Sequence, residues 1–113
     1  MWEAIQFAVK HQLSNLAIIV DRNMMQAMDY TDKIMDVGAI DLQRRLSGFG
    51  VALISCNGHD VQELAWCLRR KRGSTPNVVI AETMKGRGMP CALGRPKFHY
   101  RMPACLELIN NGQ

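Results

Sequence analysis

A chain of 113 residues is long enough for one small domain and too short for two. Its 48% hydrophobic and 21% charged content is that of a soluble globular protein, and its longest clean apolar run, Leu16–Val20, falls far short of a membrane span. The net charge of +4 is concentrated in Arg69, Arg70, Lys71 and Arg72 with no aromatic platform or reading motif beside it, so neither nucleic acid nor membrane is an expected partner.

Residues 2–13 predict a helix, because Trp2, Ile5, Val9 and Leu13 fall close to one face with Ala4 and Ala8 beside them. No capping signal precedes it, so the chain begins already inside the pattern. No basic-then-apolar leader is visible either, and a cytoplasmic location is expected. Leu16–Val20 (LAIIV) reads as a strand buried on both faces, as in a parallel sheet. Residues 21–39 read as a long irregular loop, and loops of that length are usually functional. A helix is expected over 40–49, with Leu42, Leu46 and Phe49 on one stripe.

Val51–Ser55 (VALIS) predicts a second strand. "NGHD" then leads into a helix over 61–72, where Asp60 and Glu63 match a capping box. The cations of 69–72 complement that helix's C-terminal dipole before Gly73 ends the turn. Asn77–Thr83 (NVVIAET) predicts a third strand, and "KGRGMP" a glycine-rich exit. Residues 90–103 read as irregular, and 104–110 as a short terminal helix. Alternating strands and helices predict a parallel α/β fold in one domain over 1–113. Three strands leave two sheet edges unprotected, so another polypeptide is expected to complete the layer. The cysteines Cys56, Cys67, Cys91 and Cys105 form no C-x-x-C pair and read as reduced.

In open α/β sheets ligands bind beyond the carboxyl ends of the strands. VDRNMMQ, CNGHD and TMKGRG would lie there. Asp-x-Asn is either a plain turn or a hard-oxygen site for a divalent cation. Gly86 and Gly88 either form a turn or let backbone approach a phosphate.

Taken in order, "WEAIQFAVKHQLSNLAIIVDRN", "GFG…NGHD", "AETMKGRG" and a His-x-x-x-Pro at His99 resemble the transketolase family. The resemblance covers nearly the whole chain and the latter part of the family's N-terminal thiamine-diphosphate-binding domain. It implies a partial parallel-sheet fold whose first strand and GDG loop are missing. It also implies that the cofactor's diphosphate is held through Mg²⁺ or Ca²⁺, with Asn23 supplying an amide oxygen and Met25 a backbone carbonyl. By the same resemblance Gly86 and Gly88 border the cofactor, and His99 reaches the cofactor and substrate oxygens as a catalytic group. "HYRMP" departs from the family's His-Gly, which leaves a surface-loop histidine as the other reading of His99. Asp21 aligns with the family Asp and shapes the turn, and His59 precedes the Asp60 cap as a structural residue.

The implied function is that of one component of a split transketolase-like enzyme, moving a two-carbon ketol unit between sugar-phosphate-like substrates in a hetero-oligomer. Partner chains would supply the GDG half, with its metal-binding Asp, and the pyrimidine-binding domain. The alternatives are a non-catalytic remnant acting as a binding or structural protein, and a thiamine-diphosphate 2-oxoacid decarboxylase component.

Overall fold

A computed structural model describes residues 1–35, 38–70 and 73–100. Lys71 and Arg72 of the expected third helix, and the expected terminal helix over 104–110, lie outside the described residues. The elements are α1 (Trp2–Lys10), β1 (Ala17–Arg22), α2 (Thr31–Ile34), α3 (Ala39–Ser47), β2 (Ala52–Asn57), α4 (Val61–Arg69), β3 (Asn77–Glu82) and a 3-10 turn over Pro96–His99. The chain divides into two compact units. One carries α1, β1, α3, β2, α4 and β3; the other carries α2, the 3-10 turn and the loops around them.

The first unit is built on a three-stranded parallel sheet of order β1-β3-β2. Its register runs Ala17–Asn77–Ala52 at one end to Arg22–Glu82–Asn57 at the other. The central strand β3 is buried from Asn77 to Ala81, as the β-branched run Val78–Ile80 requires. One sheet face packs under α1 and α3, where Ile5, Leu46, Val78 and Ile80 form a buried cluster joined by Val9, Ile18, Val20, Leu42 and Leu53. The opposite face packs under α4, where Cys56, Cys67 and Val79 are buried against Ile54, Leu64 and Leu68.

Helix α4 covers β2 and β3 but not β1. As a result β1 is not buried on both faces, as its composition predicts: it alternates, and Ile19 is 51% exposed. The strand also runs two residues past Val20. Asp21 and Arg22 continue the ladder opposite Ala81 and Glu82, and Arg22 donates to the Glu82 carboxylate at 2.7 Å. The first helix stops short of its predicted end. Gln12 adopts a left-handed φ of +52°, which breaks the α1 pattern two residues after Lys10.

Helix α4 begins as expected. Asp60 accepts from the N–H groups of Gln62 at 2.9 Å and Glu63 at 3.0 Å. Glu63, however, reaches back to the Asn57 N–H rather than to the cap residue. At its other end the helix closes at Arg69, where the buried Asn77 amide donates to the Cys67 carbonyl at 2.8 Å. Gly58 is sterically required: a Cβ there would lie 2.5 Å from the Thr83 methyl and 3.0 Å from the Ala81 Cβ.

Two expectations follow from this packing. Leu46→Ala removes a fully buried side chain and should cost about 2–5 kcal/mol. Urea denaturation reads this directly, and an unshifted midpoint would mean that α3 does not pack as described. Burial, reinforced by the neighbouring Cys67 thiol and by Glu63 and Asp60, pushes the Cys56 thiol from 9.0 up to about 11. The unfolded thiol ionises first, so this contribution is intact below pH 9 and is lost as pH rises toward 11. Urea midpoints of wild type and Cys56→Ser should therefore converge over that window; parallel curves would contradict it.

Cys56 and Cys67 are free thiols. Cys91 is disulfide-bonded, against the expectation of four reduced cysteines.

Candidate functional site

Every residue nominated for metal, cofactor or catalysis lies in the second unit. Its first part is the segment that leaves β1. The Asn23 side-chain oxygen accepts the N–H of Met25 at 3.0 Å, an Asx turn. Met24, between them, sits at φ +61°, a conformation uncommon for a residue with a Cβ. The Met24 carbonyl accepts from Thr31 at 3.0 Å, the Gln26 N–H donates to the Asp29 carbonyl at 2.9 Å, and Met25 and Tyr30 form an antiparallel bridge. The segment therefore closes on itself, and a single turn holds the Asn23 amide oxygen and the Met25 backbone together. The Asn23 amide oxygen is a neutral, hard donor of the kind Mg²⁺ and Ca²⁺ take, and its contact to Met25 is with the N–H of that residue. An amide oxygen has two lone pairs, so accepting from Met25 is compatible with ligating an ion.

The second part is the loop that leaves β3. Met89 donates to Gly86, Ala92 and Leu93 donate to Met89, and the Gly94 N–H closes the loop on the Lys85 carbonyl at 2.9 Å. The two nominated glycines differ. Gly86, at φ +79°, has the Ala92 carbonyl oxygen 2.6 Å from where a Cβ would stand. Gly88, at φ +85°, has nothing within 4 Å of that position, so its backbone stays open to approach.

Tyr30 joins these two parts by donating its hydroxyl to the Gly94 carbonyl at 2.6 Å. The Met25 methyl lies 4.0 Å from the position of a Gly94 Cβ. Neither Tyr30 nor Gly94 is singled out by the motifs. The available signal was an aromatic residue inside a long polar loop.

His99 ends the 3-10 turn, is exposed, and meets the Tyr100 ring edge-on at 4.8 Å. Among the described residues no hydrogen bond or ion pair joins it to Asn23, Met25, Gly86 or Gly88. Pro103 of its motif lies outside the described residues. Asp21 stands on β1 in the first unit, where its carboxylate accepts the Thr83 hydroxyl. It thus ties the end of β1 to the residue after β3. The His59 N–H donates to the Asn57 side chain at 3.0 Å, within the turn ahead of the Asp60 cap.

Among the described residues no three His, Cys, Asp or Glu side chains group as a metal site. No helix among them is long and apolar enough to cross a membrane.

No protein-family model matches the chain. It is 34% identical over 103 residues to a subunit of apulose-4-phosphate transketolase from Actinobacillus succinogenes, a match that covers 90% of this chain and 37% of that protein. Human transketolase is 33% identical over 101 residues, covering 88% of this chain and 15% of that protein. The crystal structure of transketolase from Campylobacter jejuni superposes with a TM-score of 0.71 at 29% identity, covering 87% of this chain and 15% of that one. The chain thus spans about a third of the length of the Actinobacillus succinogenes relative and a smaller share of the transketolases. Matched over most of its length in sequence and in fold, the chain is similar to transketolases over the latter part of their thiamine-diphosphate-binding region.

Proposed function

We propose that this chain is one component of a split transketolase-like enzyme, active only with partner chains, and that residues 1–113 act in it as a single partial cofactor-binding domain. The observation that carries the reading is the Asn23 turn, in which the amide oxygen accepts the N–H of Met25, the residue whose carbonyl would be the second ligand. That pairing suits a cation already bound to an anionic diphosphate, where neutral ligands avoid charge repulsion. The Actinobacillus succinogenes relative is itself named as one subunit of its enzyme, which supports a multi-chain assembly.

In this reading the Asn23 side-chain oxygen and the Met25 carbonyl hold Mg²⁺ or Ca²⁺, and a partner chain adds the carboxylate. The open backbone at Gly88 borders the diphosphate, and Gly86 keeps the loop closed beside it. His99 accepts or returns a proton at a substrate hydroxyl, a role suited to an imidazole near neutral pH. Thiamine diphosphate, when bound, would supply the carbon nucleophile needed to transfer a two-carbon ketol unit between sugar-phosphate-like substrates. The protein's task is positioning and electrostatics.

Calorimetric titration of thiamine diphosphate with Mg²⁺ tests this. The chain alone should bind weakly. Mixed with the chains supplying the GDG half and the pyrimidine-binding domain, it should bind in a metal-dependent way. A reconstituted mixture with no metal-dependent binding would leave the non-catalytic reading in its place.

A further inference from the structure

The first unit carries a surface cleft of about 310 Å³ lined by Trp2, Arg45 and Phe49. It is shallow and largely open to solvent, so a ligand would lie on it rather than inside it. The Trp2 and Phe49 rings stack, with centroids 5.7 Å apart and planes inclined by 19°. Phe49 packs against the buried Ile5–Leu46 cluster, so the pair is anchored from beneath. Trp2 stays 38% exposed and presents indole surface outward.

The third wall is cationic. Arg44, one residue earlier, is matched to Asp41 at 3.9 Å. Arg45 is exposed and, among the described residues, makes no ion pair. An unmatched guanidinium is a planar fork that suits a carboxylate, and it stands beside a preformed aromatic surface that suits a planar ring.

We propose that this cleft binds a planar aromatic carboxylate, its ring against the Trp2–Phe49 pair and its carboxylate on Arg45. The site is independent of the cofactor reading above, since it uses none of the residues nominated there.

The probe is 2-naphthoate, with the uncharged 2-naphthalenemethanol as comparison. Trp66→Phe leaves Trp2 as the only tryptophan, because the chain has two. Trp66 is exposed, so that change should be benign. Naphthoate should alter Trp2 fluorescence saturably, and the alcohol should bind about tenfold more weakly. Arg45→Gln should erase that difference, and Phe49→Leu should weaken both compounds. Calorimetry of the unaltered chain with naphthoate gives the same reading without relying on the Trp66 variant. Equal binding of acid and alcohol, or an Arg45→Gln variant that binds naphthoate as wild type does, overturns the assignment. So does absence of saturable binding, the result expected if a polypeptide rather than a small anion covers this cleft.

Discussion

Asn23→Ala should abolish metal-dependent binding of thiamine diphosphate in the reconstituted complex, a loss of at least about 100-fold. Changes to groups that merely orient metal ligands already cost about 10–100-fold in affinity, and here the proposed ligand itself is removed. The substitution acts twice. It deletes the amide oxygen, and it frees the Met25 N–H that this oxygen accepts at 3.0 Å. Asn23→Asp separates the two effects, because a carboxylate keeps both an acceptor for Met25 and a hard oxygen for the cation. The aspartate variant should therefore retain a measurable Mg²⁺ dependence that the alanine variant lacks. Calorimetry at several Mg²⁺ concentrations distinguishes them. An alanine variant with wild-type affinity would remove Asn23 from the metal shell and reduce the turn to a structural one.

The parallel sheet was legible because its strands announce themselves locally. LAIIV and NVVIAE are apolar and β-branched, and the helices between them repeat at helical spacing. Strand ends were less legible, since they depend on partners far away in the chain. Nothing near Asp21 and Arg22 says that they remain in a strand. The reasons are Thr83 and Glu82, about sixty residues on. The burial of β1 failed for a related reason: a run such as AIIV reports how apolar a strand is, not how far a helix will reach across it. Here α4 sits over β2 and β3, and Ile19 is left half exposed.

The candidate site divides along the same line. Asn23, Gly86 and Gly88 could be nominated because polar turn residues and glycines carry their backbone preference in their own identity. Tyr30 could not, because its role is a single hydroxyl reaching a carbonyl 64 residues away. The distinction between the two glycines was equally hidden. Both adopt positive φ, but only at Gly86 does another stretch of backbone occupy the place of the missing side chain. His99 remains a proposal carried by resemblance, with its described contact to the Tyr100 ring.

Gly86→Ala should open the loop that leaves β3. A Cβ at Gly86 would stand 2.6 Å from the Ala92 oxygen, 2.7 Å from its carbonyl carbon and 2.9 Å from the Leu93 nitrogen. All three are backbone atoms, so no rotamer change relieves the clash. The φ of +79° adds about 1–2 kcal/mol for any residue with a Cβ. Together these should cost the loop about 3 kcal/mol or more, the scale of overpacking plus backbone strain. The loop's closing contact is the Gly94 N–H on the Lys85 carbonyl, and the Tyr30 hydroxyl bonds the Gly94 carbonyl beside it. Amide exchange at Gly94 should therefore accelerate by about 100-fold in Gly86→Ala, a factor corresponding to roughly 3 kcal/mol of local opening. Gly88→Ala is the matched comparison: its φ is similar but the space around it is empty. It should speed Gly94 exchange by no more than the strain cost alone, about tenfold. If the two variants exchange alike, the Ala92 contact does not hold the loop. If Gly86→Ala exchanges as slowly as wild type, the loop is not closed as described.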